Sequence, residues 1–70
     1  MDLKLILNQI RIARVSRGYK QEVLAEKLGI SQNHYSEIEK GKHRLTVEML
    51  CKIGLALGVD YREFLPPPSN

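Results

Sequence analysis

A single cysteine, Cys51, leaves the chain with no internal disulfide to staple a small fold, and suits a reducing, cytoplasmic setting. No apolar run approaches the ~18 residues that cross a bilayer, so no membrane association is expected. The N-terminal stretch Leu3-Lys4-Leu5-Ile6-Leu7 carries a charge, is short and lacks a small-residue cleavage site, which argues against a secretory signal. Aromatic residues make up only 6% of the sequence, too few for the stacking platforms that bind single-stranded RNA. His34, His43 and Cys51 are not spaced as a usual zinc set. There is no glycine-rich phosphate loop. A chain of 70 residues also has little room for a deep pocket beside its core. These absences argue against an enzyme, and no cofactor, metal or small-molecule ligand is expected. Strand-like alternation and internal repeats are missing as well.

What is present reads as one small helical domain. A core of this size supplies only about 3–5 kcal/mol, so such a domain leans on well-formed helices or on pairing with a copy. Hydrophobic residues make up 43% of the chain, enough for a packed bundle. The net charge of +3 fits a nucleic-acid partner without requiring one.

Periodicity predicts the helices. Asp2 caps a first helix whose residues Leu3, Ile6, Leu7, Ile10 and Ala13 share one face, while Ile12 and Val15 lie off that stripe. Gly18 closes it. Lys20 precedes a second helix and cannot accept its free N–H groups, an expected loss of roughly 1 kcal/mol that Glu22 partly offsets through the helix dipole. Leu24, Ala25 and Leu28 recur at helical spacing, and Gly29 ends the segment where a left-handed residue is favoured. Ile30 supplies an apolar plug. Ser31 caps a third helix from about Gln32 to Lys40, with Tyr35 and Ile38 turned inward and Gly41 as its stop. The connection between these two helices is short and contains a glycine, which sets a pair of helices at a steep angle.

Beyond the basic run Lys42-His43-Arg44, Thr46 caps a fourth helix with an inward stripe of Val47, Leu50, Ile53, Gly54 and Leu57. Glycine inside a helix costs about 1 kcal/mol relative to alanine, so Gly54 predicts a close backbone neighbour. Asp60 and Glu63 have capping-box spacing and predict a last short helix, Tyr61 to Leu65. Pro66, Pro67 and Pro68 stop it. The expected organisation is a domain over 1–65 and an extended, mobile proline-rich tail over 66–70.

The stretch Gln21 to Lys42, QEVLAEKLGISQNHYSEIEKGK, resembles the repressor and Cro-like helix-turn-helix family. The likeness extends to Ile10, Arg11 and Arg14 in the first helix and to Leu50 through Val59 in the fourth. It implies an all-α, five-helix, lambda-repressor-like DNA-binding domain, and a sequence-specific transcription regulator acting as a homodimer on double-stranded DNA with a two-fold symmetric operator. The alternative is a helix-turn-helix module for protein contact, such as an antitoxin or anti-regulator, with DNA binding secondary.

A recognition helix presents its N-terminal side chains to base edges in the major groove. Here those are Gln32, Asn33, Ser36 and Glu37, with His34 at the flank. Gln and Asn donate and accept together, as adenine N6 and N7 require, and Glu accepts from cytosine N4. Lys40, Lys42, His43 and Arg44 follow the helix and are expected to grip phosphates. The resemblance adds Gln21 as a phosphate contact and Arg14 with Glu39 as an internal ion pair. Arg17 and Lys20 are weaker phosphate candidates, and Arg11 is ambiguous. Leu55, Tyr61 and Leu65 form the expected dimer patch, with Ile12 and Val15 as a rival. Cys51 is expected to be a small, partly buried hydrophobe.

Overall fold

Four α-helices and one 3-10 turn follow each other in the computed structural model, which describes residues 2–67: α1 (Leu3–Ser16), α2 (Gln21–Leu28), α3 (Gln32–Glu39), α4 (Val47–Leu57) and a 3-10 turn (Tyr61–Phe64). No strand occurs among the described residues. Residues 68–70 of the expected tail lie outside them; Pro66 and Pro67 follow the last turn without helix.

The helix starts follow their sequence. Asp2 accepts from Lys4 N at 2.9 Å, Ser31 from His34 N at 3.0 Å and Thr46 from Met49 N at 3.1 Å. Gly29 and Gly58 close α2 and α4 at φ values of 73° and 70°, a conformation that penalises a Cβ.

The expected fifth helix is instead a single 3-10 turn. Leu65, just before Pro66, is extended at φ −82°, ψ 145°, as a residue preceding proline tends to be. The bonds that form are i→i−3, Glu63 N to Asp60 O at 2.9 Å and Leu65 N to Arg62 O at 3.1 Å. Asp60 caps this turn through Arg62 N at 2.9 Å rather than through Glu63. The Arg62 side chain bonds to the same carboxylate and, with that N–H, holds it well below its ordinary value, at about 2.

The core joins Ile6, Leu7 and Ile10 of α1, Leu24 and Ala25 of α2, Tyr35 of α3, Leu50, Ile53 and Leu57 of α4, and Phe64 of the turn; Ile38 of α3 is buried as well. Two residues expected to face inward do not. Leu3 is 45% exposed and Val47 72% exposed. Each is the first residue of its helix, and both border a shallow apolar groove with Ile6, Leu45, Leu50, Tyr61 and Leu65 that no described residue fills.

Gly54 has the close neighbour its position predicts. A Cβ there would lie 2.8 Å from the Val59 carbonyl oxygen and 3.1 Å from Tyr61 N, both backbone atoms. The chain leaving α4 therefore doubles back against the helix itself.

Candidate nucleic-acid interface

The α2–α3 connection is only three residues long. Gly29 turns left-handed, and Ile30 N donates to Ala25 O at 3.1 Å while its half-buried side chain packs against the core. Ser31 then opens α3. The outcome is a helix α3 whose first residues, Gln32 and Asn33, are both exposed, while Tyr35 and Ile38 one turn on are buried.

The other expected base-reading residues are more covered. His34, Ser36 and Glu37 are half-buried. Glu37 Oε1 accepts from Asn33 Nδ2 at 3.2 Å, and its backbone carbonyl accepts from Lys42 N at 2.8 Å and His43 N at 3.2 Å. Those two bonds fold the post-helix loop back, so the His43 ring lies 4.4 Å from the His34 ring, tilted by 49°. Nothing in the nine-residue separation signalled this pairing. It follows from the left-handed Gly41, at φ 80°.

Lys40, Lys42, His43 and Arg44 are all exposed on this loop and helix end. Gln21, expected at a phosphate, also has a partner inside the domain. Its side-chain Nε2 is engaged internally with Glu39 Oε1 at 3.2 Å. What stays available at the start of α2 is backbone: Lys20 supplies no side-chain cap, so the first-turn N–H groups have no side-chain acceptor. Free N–H groups at a helix N-terminus attract anions.

Glu39 is the hub beneath the interface. Arg14 grips it as a fork, Nε to Oε2 and Nη2 to Oε1, both at 3.0 Å, and Arg14 Nη1 also reaches the Tyr19 carbonyl at 2.8 Å. The Tyr35 hydroxyl donates to Glu39 Oε2. Burial alone would raise the Glu39 carboxyl, but the hydrogen bonds from Arg14, Tyr35 and Gln21 outweigh it and hold the group below its usual range. Burial first, and then the bond to Glu39, pushes the Tyr35 phenol far upward. Sequence spacing offered part of this network, since Tyr35 and Glu39 are four apart on one helix. The Gln21 contact is tertiary and left no local signal.

The network sets the electrostatics of the face. With Glu39 neutralised by Arg14, the carboxylate left on α3 is Glu37, against the cations of Lys40, Lys42 and Arg44. Among the described residues no group of three or more His, Cys, Asp or Glu side chains could hold a metal ion, and Cys51 is half-buried. No described helix is long and apolar enough to cross a membrane.

The expected dimer residues do not form one patch. Tyr61 and Leu65 line the apolar groove with Leu3 and Val47, whereas Leu55, 83% exposed, borders a separate depression with Lys27, Leu28, Lys52 and Ala56. Helical rotation accounts for this: Leu55 is one residue past Gly54, against which Tyr61 packs, and so points about 100° away.

Known proteins share this arrangement. The chain is 32% identical over 70 residues to the "Neisseria hypothetical transcription factor" of Neisseria meningitidis serogroup B, covering 99% of this chain and 66% of that protein. It is 34% identical over 71 residues to the "Uncharacterized HTH-type transcriptional regulator y4dJ" of Sinorhizobium fredii, covering 100% of this chain and 92% of the relative. With the HTH-type transcriptional regulator SutR of Escherichia coli it shares 35% identity over 57 residues, 81% of this chain but only 32% of SutR. The crystal structure of the Neisseria factor superposes with a TM-score of 0.83 at 32% identity, over 96% of this chain and 78% of that one. Residues 10–64, which hold the turn, the Glu39 hub and the exposed end of α3, match the HTH_3 helix-turn-helix family, and the chain belongs to that Cro/C1-type family of DNA-binding transcription regulators.

Proposed function

We propose that the chain is a cytoplasmic, sequence-specific regulator of transcription that reads double-stranded DNA through Gln32 and Asn33 and acts as a homodimer on a two-fold symmetric operator. The observation that carries this reading is the exposed amide-bearing start of α3, flanked by Lys40, Lys42 and Arg44, with its nearest buried carboxylate already paired. Gln32 and Asn33 specify, because amides match base edges. The lysines, Arg44 and the uncapped start of α2 position the domain on phosphates, which supply most of the affinity. Gln21 contributes its backbone N–H, its side chain being committed to Glu39. Pairing is supported by the apolar groove around Tyr61 and Leu65, which two copies would cover for each other.

Selection of bound duplexes from a random pool gives the operator and its half-site spacing, and titration of variants against it tests the roles. Gln32→Ala relaxes preference at one base position by about 1–3 kcal/mol, whereas Lys42→Ala weakens specific and scrambled duplexes alike and lowers the salt slope by about one unit. Equal behaviour of the two variants overturns the assignment. Sedimentation with and without DNA reads the pairing directly, and a monomer in both overturns it.

A further inference from the structure

The two most exposed large apolar side chains among the described residues belong to one helix. Leu55 is 83% and Val47 72% exposed, and both stand on α4 with the half-buried Cys51 midway between them. Steps of four residues make a row along the helix surface, the kind that packs against a second helix at a crossing of about 50°. The row joins two unlike hollows. At its first end Val47 borders the apolar groove, whose lining, Tyr61 and Leu65 included, carries no charged side chain. At its other end Leu55 projects beside Lys27 and Lys52. A groove at one end of a row and a projecting leucine at the other suit a two-fold axis between them.

Setting α4 antiparallel to its copy, with the axis at Cys51, brings each leucine to the other's groove. Leu55 lies about 6 Å beyond Cys51 along the helix and Val47 about 6 Å before it, so Leu55 of one copy meets Val47 and the groove mouth of the other. The charges agree. Glu48 and Lys52 form the neighbouring row, both exposed and 3.7 Å apart. A two-fold axis lying across the helices turns this edge toward the same edge of the copy. Glu48 then comes within about 3 Å, along the helix, of the level of Lys52 in the second copy, so opposite charges face each other twice. Parallel pairing instead sets both charges against the uncharged groove and leaves each leucine facing its own copy. The other charges nearby are engaged or turned elsewhere. Lys27 lies 5.3 Å from the centre of the Tyr19 ring, Asp60 pairs with Arg62 at 2.6 Å, and Arg17 reaches the Gly58 carbonyl at 3.4 Å. Glu63 borders the grooves against α1, with Leu5 and Gln9.

We infer that the homodimer proposed above, on which this rests, forms through α4: two copies cross antiparallel at Cys51, and Leu55 of each closes the apolar groove of the other. Leu55, Tyr61 and Leu65, which line different hollows within one chain, meet across the axis.

Crosslinking reads the geometry. In a Cys51→Ser background, a chain carrying Val47→Cys is mixed with a tagged chain carrying Leu55→Cys and treated with a short bis-maleimide. The mixed pair crosslinks, whereas either chain alone does not, because like positions lie about 12 Å apart along the helices. Sedimentation reads the strength. Leu55→Lys raises the dissociation constant at least about tenfold at unchanged helix content. Glu48→Lys or Lys52→Glu alone weakens pairing, and the two together restore it to within about threefold of the parent. Ile12→Gln with Val15→Gln, on the outer face of α1, leaves the constant at the parent value. A dimer that survives Leu55→Lys, lacks the mixed crosslink, or yields to the α1 substitutions instead overturns α4 as its surface and leaves the homodimer standing. A chain that stays monomeric with and without DNA overturns the homodimer and this surface with it. Base reading by Gln32 and Asn33 is measured separately, in the duplex titrations.

Discussion

The two helices of the helix-turn-helix start in opposite ways. α3 opens on Ser31, whose hydroxyl accepts from His34 N and satisfies its own first turn. α2 opens on Lys20, which caps nothing. Under the proposed function, the difference separates two jobs. A helix meant to offer side chains to bases needs a closed, rigid first turn, because Gln32 and Asn33 must be held in one geometry. A helix meant to meet a phosphate gains from leaving its N–H groups without an acceptor, with a cation beside them. Stability is given up at one end of the motif and kept at the other, and Glu39 joins the two, accepting from Gln21 at the start of α2 and from Tyr35 in the body of α3.

Cutting that joint has the largest expected effect. Glu39→Ala leaves the Arg14 guanidinium without its carboxylate and lowers unfolding free energy by roughly 3 kcal/mol in urea titrations, at the low end for a buried pair because Arg14 keeps some solvent contact. A loss no greater than a surface substitution would mean the two helix starts are held by apolar packing alone. Acid sharpens the same point. The Glu39 carboxyl is depressed in the fold, so its contribution is fully present above its ordinary value of 4.5 and is lost as pH falls through the lowered folded value. Glu39→Gln flattens that acid limb, and a limb unchanged by the substitution would place the titration elsewhere.

Next come the caps. Ser31→Ala costs about 1 kcal/mol of stability and also loosens base discrimination, because the frayed turn is the one bearing Gln32 and Asn33. Lys20→Ser gains about as much stability yet weakens binding to every duplex, since the new hydroxyl occupies the N–H groups and the cation is gone. Thermal melts and duplex titrations run side by side on both variants therefore show stability moving in opposite directions and affinity in the same direction. If Lys20→Ser stabilises without any loss of affinity, the uncapped end has no role in binding.

Between the loss of Glu39 and the cap effects stands Tyr35→Phe, about 1.5 kcal/mol for one hydrogen bond to a charged acceptor, read in the same urea titrations. Gln21 and Arg14 still satisfy Glu39 in that variant. A larger loss would make Tyr35 an equal partner of Arg14 in the joint.

Much of this was legible in the residues because it is local. Ser31, Thr46, Gly29 and Gly58 set helix boundaries through bonds to atoms within a few positions, and the buried faces of α1 and α4 follow from periodicity. The misses are of another kind. Val47 falls on an inward stripe by rotation, but it stands at the overhanging first turn, and only the tertiary arrangement decides that. The last helix shrank to one turn because Leu65 answers to Pro66 rather than to the Asp60–Glu63 spacing. The diversion of Gln21 from solvent to Glu39, and the meeting of His34 with His43, depend on where loops return. Likewise Leu55, Tyr61 and Leu65 are close in sequence, yet they line different depressions.

Gly54 carries one more consequence. Main-chain atoms, not side chains, meet it from Val59 and Tyr61. A side chain at position 54 would press on main chain that has no rotamer to give way, so the close return of Val59 and Tyr61 depends on the missing Cβ.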